Sequence, residues 1–325
     1  MHVKSIRRVT NDANHNAFTG ACYFKNALYV AFRQGSAHVD PTGRIIVLRS
    51  SDEGKHFEIV ASFRKNADAR DAHLYSDGEK LFVVGFEREE KTRTCFSYTA
   101  FSKDGRAWSE WRKMEGTENF IMWRPQFYNG RYYCAGYGEF KSGRRSTVSW
   151  FESNDGIKWE RKYDIHRGKD VPTECSLDFK KDGTAVMLMR CDDKSKKPYL
   201  CSSKPPYRKW NKKRLQIALH GPALWIVEDE IWISGRWYLH RDITHIGVFH
   251  MKKDKPALRV VLPSGPAADI SYLGVAKSPD NPLRCWLTYY SGHTGTDDPD
   301  IEQFSHPDIY LVEAVFDTGS NSGKK

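Results

Sequence analysis

The amino-acid sequence predicts an all-β protein folded as one six-bladed β-propeller. Three observations lead there. An apolar hairpin unit recurs six times, at intervals of roughly 50 residues, the length of a four-stranded blade. Aromatic residues make up 13% of the chain, with 10 Trp, 16 Tyr and 17 Phe, and these side chains favour pleated strands. No segment carries a helical apolar period that competes with the strand reading.

The units read in order as strand, tight turn, strand. The first is Ala17 to Phe24, Lys25-Asn26, then Ala27 to Phe32. The second is Ala69 to Leu74, a turn at Asp77-Gly78, then Lys80 to Phe86. The third is Met122 to Tyr128, Asn129-Gly130, then Arg131 to Tyr137, and the fourth is Glu174 to Phe179, Asp182-Gly183, then Thr184 to Arg190. The fifth is Pro222 to Val227, Glu228-Asp229, then Glu230 to Arg236, and the sixth is Ser271 to Ala276, a longer Pro-containing turn, then Leu283 to Tyr290. Asn-Gly and Asp-Gly between β-formers are the strongest short-range hairpin signal, because both turn residues need positive φ.

A third strand follows in most units, at Arg44–Arg49, Thr94–Phe101, Ser146–Phe151 and His245–His250, and the sixth unit ends with Ile309–Phe316. The N-terminal Val3–Val9 supplies the outer strand that the sixth unit lacks, which closes the ring and removes exposed edges. The expected organisation is one propeller domain over 1–317 and a frayed tail over 318–325.

Bulk properties narrow the function classes. Hydrophobic residues form 39% of the 325, enough for a large core. No apolar run approaches the length of a membrane span. Met1 to Ser5 has no apolar signal core, so the expected location is cytoplasmic, or periplasmic or secreted where a signal peptide has been removed. The seven Cys are odd in number and form no Cys-x-x-Cys pair, which predicts buried reduced thiols rather than a disulfide or zinc framework. Lys and Arg exceed Asp and Glu by 51 to 41, a net charge of +10. That excess suits a polyanion, but much of it lies in Pro-interrupted stretches at Lys194–Lys197 and Arg208–Arg214. Neither forms a recognition helix or a stacking platform, so an acidic glycan is expected as partner and nucleic acid is not.

Ser50-Ser51-Asp52-Glu53-Gly54-Lys55-His56-Phe57 stands after the third strand of the first unit, with shorter copies at Ser102-Lys103-Asp104-Gly105-Arg106-Ala107-Trp108 and Ser153-Asn154-Asp155-Gly156-Ile157-Lys158-Trp159. Ser and Asp cap the backbone of a turn there, Gly takes positive φ, and the aromatic packs between sheets. This pattern resembles the Asp-box of the sialidase superfamily, and three copies at one point of the repeat carry the resemblance across nearly the whole chain. It implies a sialidase-like propeller in which Asp52, Asp104 and Asp155 are structural.

The resemblance also implies site residues. Pro172-Thr173-Glu174 opens a strand whose partner ends in Arg190, Gly221-Pro222 opens a hairpin ending in Gly235-Arg236, and Asp269-Ile270-Ser271-Tyr272 starts the last unit. By position Tyr272 matches the family's nucleophile, Glu174 its base, and Arg190 and Arg236 two of the three Arg that hold a substrate carboxylate. Where sialidases carry Arg-Ile-Pro, this chain has His15-Asn16-Ala17-Phe18-Thr19, which weighs against sialic acid itself as the sugar. The pattern of His, Tyr and Arg is also similar to propeller-fold uronate lyases.

In a propeller, the starts of inner strands and the ends of their partners crowd one mouth of the channel. That rule gathers His15, Asn16, Arg33, His38, Arg70, Asp71, His73, Trp123, Arg124, Glu174, Arg190, Arg236, Tyr272 and His293. Tyr272, Glu174, Asp71 and His38 are the expected catalytic groups. Arg33, Arg70, Arg124, Arg190 and Arg236, with His15, His73, Trp123 and His293, are expected to bind substrate. Glu174 can take the phenolic proton of Tyr272, Asp71 is a candidate general acid, and the Arg forks suit a carboxylate. No cofactor or metal is expected. Asp297-Asp298-Pro299-Asp300 reads as a solvated acidic turn, while His306-Pro307-Asp308 offers oxygen ligands. The leading expectation is an exo-acting glycoside hydrolase that releases a carboxylate-bearing sugar from a glycan. The alternatives are a polysaccharide lyase using His38 or Tyr272 as base, and a non-catalytic glycan-binding propeller.

Overall fold

A computed structural model describes residues 1–89, 94–141, 145–240, 243–265, 269–292 and 306–317. The chain forms a six-bladed β-propeller with no α-helix among these residues. The first blade is β2 (His15–Phe24), β3 (Ala27–Gly35), β4 (Arg44–Ser50) and β5 (Glu58–Phe63). The second is β6 (Asp68–Ser76), β7 (Leu81–Glu89), β8 (Thr94–Ser102) and β9 (Arg112–Lys113). In the third, β10 (Phe120–Ile121) and β11 (Gln126–Tyr128) together form the inner strand beside β12 (Arg131–Lys141), β13 (Arg145–Ser153) and β14 (Trp159–Gly168). The fourth is β15 (Pro172–Phe179), β16 (Ala185–Cys191), β17 (Tyr199–Ser203) and β18 (Asn211–Arg214). The fifth is β19 (Leu219–Val227), β20 (Glu230–Tyr238), β21 (Thr244–Lys252) and β22 (Lys255–Leu262). The sixth is β23 (Ile270–Lys277), β24 (Arg284–Ser291), β25 (Asp308–Val315) and, outermost, β1 (His2–Arg8).

Burial grades from axis to rim, and the sequence explains it. The inner strand β19, LHGPALWIV, is buried at every position because neighbouring blades cover both its faces. The outer strand β1 alternates exposed and half-buried residues, since only one face meets the ring. Aromatic pairs bridge the seams between blades. Phe63 stacks on Trp111 at 5.3 Å, Tyr128 on Phe179 at 4.4 Å, and Tyr23 on Trp286 at 5.4 Å. β1 pairs antiparallel with β25, Ile6 opposite Val312, so the N-terminus closes the ring as expected. Met1 and Asp317 add an ion pair at 2.9 Å. The hairpin turns also follow expectation: Lys25-Asn26 and Glu228-Asp229 both hold positive φ without glycine. All seven cysteines are free thiols.

The three Ser–Asp turns close alike. Ser102 Oγ accepts the Gly105 N–H at 2.8 Å, and Asp104 Oδ1 accepts the N–H groups of Arg106 and Ala107, both at 2.8 Å. Ser50/Asp52 and Ser153/Asp155 repeat the pattern. Those bonds hold the Asp104 carboxyl down to about 2. Gly105 sits at φ 76°, and a Cβ there would lie 1.7 Å from Tyr29 Oη. Gly105→Ala is therefore expected to cost about 2–4 kcal/mol, from left-handed strain plus overpacking, measured by urea denaturation. A loss below about 0.5 kcal/mol would contradict this packing.

The ring carries one feature that alternation did not reveal. Each inner strand slips register by one residue: between Ala17 and Gly20, Arg70 and His73, Pro172 and Cys175, His220 and Ala223, and Ser271 and Gly274, with the break between β10 and β11 as the counterpart in the third blade. Residues in five of these breaks adopt left-handed backbone: Phe18 at φ 60°, Asp71 at 55°, Arg124 at 51°, Gly221 at 56° and Tyr272 at 51°. Only one is glycine, so four side chains hold a costly conformation that the surrounding sheet enforces. A bulge re-aims the side chain it carries. Asp71, Arg124 and Tyr272 thus occupy one structural position in three different blades.

Candidate functional site

Tyr272 Oη donates to Glu174 Oε1 at 2.9 Å. Arg190 Nη1 donates to the same carboxylate oxygen at 2.7 Å and lies 3.4 Å from Tyr272 Oη, while its Nε donates to Asp192 at 2.6 Å. Two side chains from two non-adjacent blades, Tyr272 and Arg190, thus converge on one oxygen of Glu174. Tyr272, Glu174 and Asp71 are all buried. Burial, reinforced by the nearby Glu174 charge, pushes the Tyr272 phenol well above its usual range, and Arg190 only partly offsets this. Burial would lower the Arg190 pKa, but Glu174, Tyr272 and Asp192 outweigh it and keep the guanidinium charged.

Asp71 lies in the same electrostatic neighbourhood. Burial pushes its carboxyl up to about 7; Arg70 opposes that rise, and Glu174 and Asp68 add to it. Two carboxyls beside one tyrosine therefore differ in environment: Glu174 is clamped by Arg190, and Asp71 is desolvated. Arg236, at the end of β20, donates Nε to Ile270 O at 2.9 Å, which anchors it next to the strand that carries Tyr272.

A second layer supports this one. Asp68 accepts from Arg33 Nε at 2.7 Å and Nη2 at 3.1 Å, and from Arg70 Nη1 at 3.0 Å. Arg70 also donates to His38 O at 2.8 Å, and its guanidinium covers the Phe18 ring at 4.7 Å. Phe18 packs edge-on against Tyr272 and His38, each at 5.4 Å. Arg70, from the second blade, thereby stands over Phe18 of the first.

His15 Nε2 lies 2.6 Å from Asp269 and His38 Nδ1 3.4 Å from it, the one group among the described residues whose donors are spaced as a metal would need. Arg33 Nη1 faces His15 Nδ1 at 3.5 Å and Arg70 Nη2 faces His38 Nε2 at 3.4 Å. A guanidinium only donates, so those ring nitrogens accept and the hydrogens point at Asp269. In this tautomer the atoms facing Asp269 carry protons instead of lone pairs, and two cations stand behind them. The trio is a hydrogen-bonded brace and does not fit a metal. Burial opposes ionisation of Asp269, yet the N–H groups of His15 and His38 hold its carboxyl well below the usual range.

Several candidates sit elsewhere than sequence reasoning put them. Arg33 and His15 are fully buried, because Arg33 pairs with Asp68 and His15 with Asp269, and they offer no surface to a ligand. Trp123 is fully buried as well, packed on His73 at 4.4 Å and Tyr272 at 5.3 Å, so it backs the tyrosine instead of stacking on a sugar. No hydrogen bond among the described residues links His38 to the Tyr272–Glu174 pair. His73 and Arg124 line a cavity on the other side of the bulges. His293, Asp297–Asp300 and the tail 318–325 lie outside the described residues. Asp308 is engaged by Arg8 and by Thr10 Oγ1.

Asp68, Asp269 and Asp192 were not singled out from sequence. Asp68 and Asp269 each fall three residues before a bulge residue, Asp71 and Tyr272, as His15 does before Phe18. That shared phase was the available signal.

No protein-family model matches the chain, and no curated protein does. Solved structures do match in fold. A protein of unknown function from Dyadobacter fermentans is 16% identical with a TM-score of 0.76, covering 96% of this chain and 100% of that one. The phage phi92 endosialidase is 10% identical with a TM-score of 0.72, covering 99% of this chain and 70% of that one. A Trypanosoma rangeli sialidase in complex with the inhibitor DANA is 11% identical with a TM-score of 0.68 and is matched over 92% of this chain. This chain spans about half of that sialidase, 55% of its length. The fold is sialidase-like.

Proposed function

We propose that the chain is a sialidase-like glycoside hydrolase that removes a carboxylate-bearing sugar from the end of a glycan. The observation that carries the reading is the 2.9 Å hydrogen bond from Tyr272 Oη to Glu174, bridged by Arg190. A phenol is a poor nucleophile while protonated, and burial makes the free phenolate costly. Passing the proton to Glu174 as Oη attacks the anomeric carbon avoids that state, and Arg190 stabilises charge developing on both oxygens.

A neutral nucleophile has a second merit. A carboxylate attacking a sugar that bears its own carboxylate would meet like-charge repulsion, which tyrosine avoids. Asp71, protonated up to about pH 7, donates to the leaving oxygen as the glycosidic bond breaks. It then takes a proton from the water that attacks the anomeric carbon of the tyrosyl glycoside; that carbon–Oη bond breaks, Glu174 returns its proton to Tyr272 Oη, and the sugar leaves with retained configuration. Arg236 and Arg70, with Arg190, supply the cationic rim for the substrate carboxylate.

The test is a panel of aryl glycosides of acidic sugars, 2-keto acids and hexuronates alike. Free sugar should appear with no ultraviolet absorbance from a new C=C bond. A rise in that absorbance would assign a lyase. Saturable binding of acidic oligosaccharides with no turnover anywhere in the panel would assign a binding protein.

A further inference from the structure

Beyond the bulges the axis opens again. A cavity of about 330 Å³ is lined by residues from all six inner strands, among them Gly20, His73, Arg124, Ser176, Leu224 and Gly274. Its lining runs onward along the chain from the bulge of each inner strand, and neither Tyr272 nor Glu174 is part of it. Its charges do not balance locally. Lys277 and Asp178 pair with each other at 2.6 Å. Arg124 is only 9% exposed, and its Nε and Nη2 are buried without any hydrogen-bond partner. His73, 4% exposed, has a buried Nε2 without a partner beside it.

Buried guanidinium groups are ordinarily paired, because an uncompensated charge in a low-dielectric interior is expensive. Burial lowers the Arg124 pKa to about 10, and Glu174, Tyr272 and Asp71 across the waist of the channel only partly compensate. We propose that this axial cavity binds a small inorganic anion, held by the N–H groups of Arg124 with His73 as a second donor. Neutral His73 can turn an N–H toward the anion, and the sheet's own dipoles are already spent on inter-strand bonds. The site is independent of the glycan reading, since it uses neither Tyr272 nor Glu174.

Bromide is the probe. Crystals of the wild-type protein soaked in sodium bromide should give an anomalous peak in the axial cavity within hydrogen-bonding reach of Arg124. In solution at constant ionic strength, replacing gluconate by chloride should raise the melting temperature of the wild type. In Arg124→Met the anion response should disappear, with apparent affinity down about tenfold or more, because a charge-assisted hydrogen bond is lost. Arg124→Met should also melt higher than the wild type in gluconate, since it removes an unpaired buried charge. No bromide in this cavity, a peak only on the Tyr272 side, or an equal chloride response in the two proteins would each overturn the proposal.

Discussion

Tyr272→Phe is expected to lower kcat at least about 10³-fold on an acidic glycoside, with little change in the melting temperature. The phenol oxygen is the attacking atom in the proposed reaction, whereas its ring does the packing. Phenylalanine keeps the stacking on Tyr290 at 6.2 Å and the edge contact with Phe18 at 5.4 Å. It also leaves the Arg190–Glu174 bridge at 2.7 Å intact. Glu174→Gln should lose a comparable factor, within the 10²–10⁴-fold attributed to a positioned proton acceptor. It should also destabilise the fold by about 3 kcal/mol, because Arg190 is left with Asp192 as its remaining carboxylate partner. The decisive measurement is the double variant. If Tyr272 and Glu174 act as one unit, losing both is scarcely worse than losing either, as with other residues that share one step. Multiplicative losses, or undiminished turnover in Tyr272→Phe, would remove the tyrosine from the chemistry.

The ring was legible because its signals are local. Asn129-Gly130 and Asp182-Gly183 announce hairpins through backbone sterics alone, and Ser50/Asp52 and its two copies announce turns through side chains that bond their own neighbours. The closing strand β1 was legible because the last unit lacked an outer strand and an unpaired apolar segment was at hand. The bulges were not. An inner strand such as β19 is buried on both faces, so a slip of one residue does not disturb any alternation of apolar and polar positions. Phe18 and Tyr272 adopt left-handed backbone against their own preference, imposed by the ring. The brace was hidden for a related reason. Asp269 and His15 are 254 residues apart, and their pairing follows only once the ring brings the sixth blade beside the first. Sequence gathered Arg33, His15 and Trp123 with the other strand-end residues, but gave no sign that the ring buries all three.

Asp71 should give the proposed reaction an alkaline limb that no ordinary aspartate would produce. Its carboxyl is buried and pushed up to about 7, so below that pH it holds the proton a departing alcohol needs and above it the proton is gone. The expected kcat therefore falls tenfold per pH unit above about 7 with an alkyl glycoside. With an aryl glycoside whose phenol leaves unaided the decline should nearly vanish, and Asp71→Asn should cost far less on that substrate than on the alkyl one. The same group makes a stability prediction with a definite sign. Its folded pKa lies above the ordinary aspartate value of 3.8, so between about pH 4 and pH 7 the folded chain holds a proton that the unfolded chain has released. Unfolding is then favoured as pH rises, by about 4 kcal/mol once pH passes 7. Asp71→Asn cannot ionise, so it should match the wild type near pH 4 and be more stable by that order at pH 8, as read by urea denaturation at both values. A stability difference that does not change between pH 4 and pH 8, together with a rate profile flat through pH 7 on alkyl glycosides, would mean that Asp71 is not the proton donor.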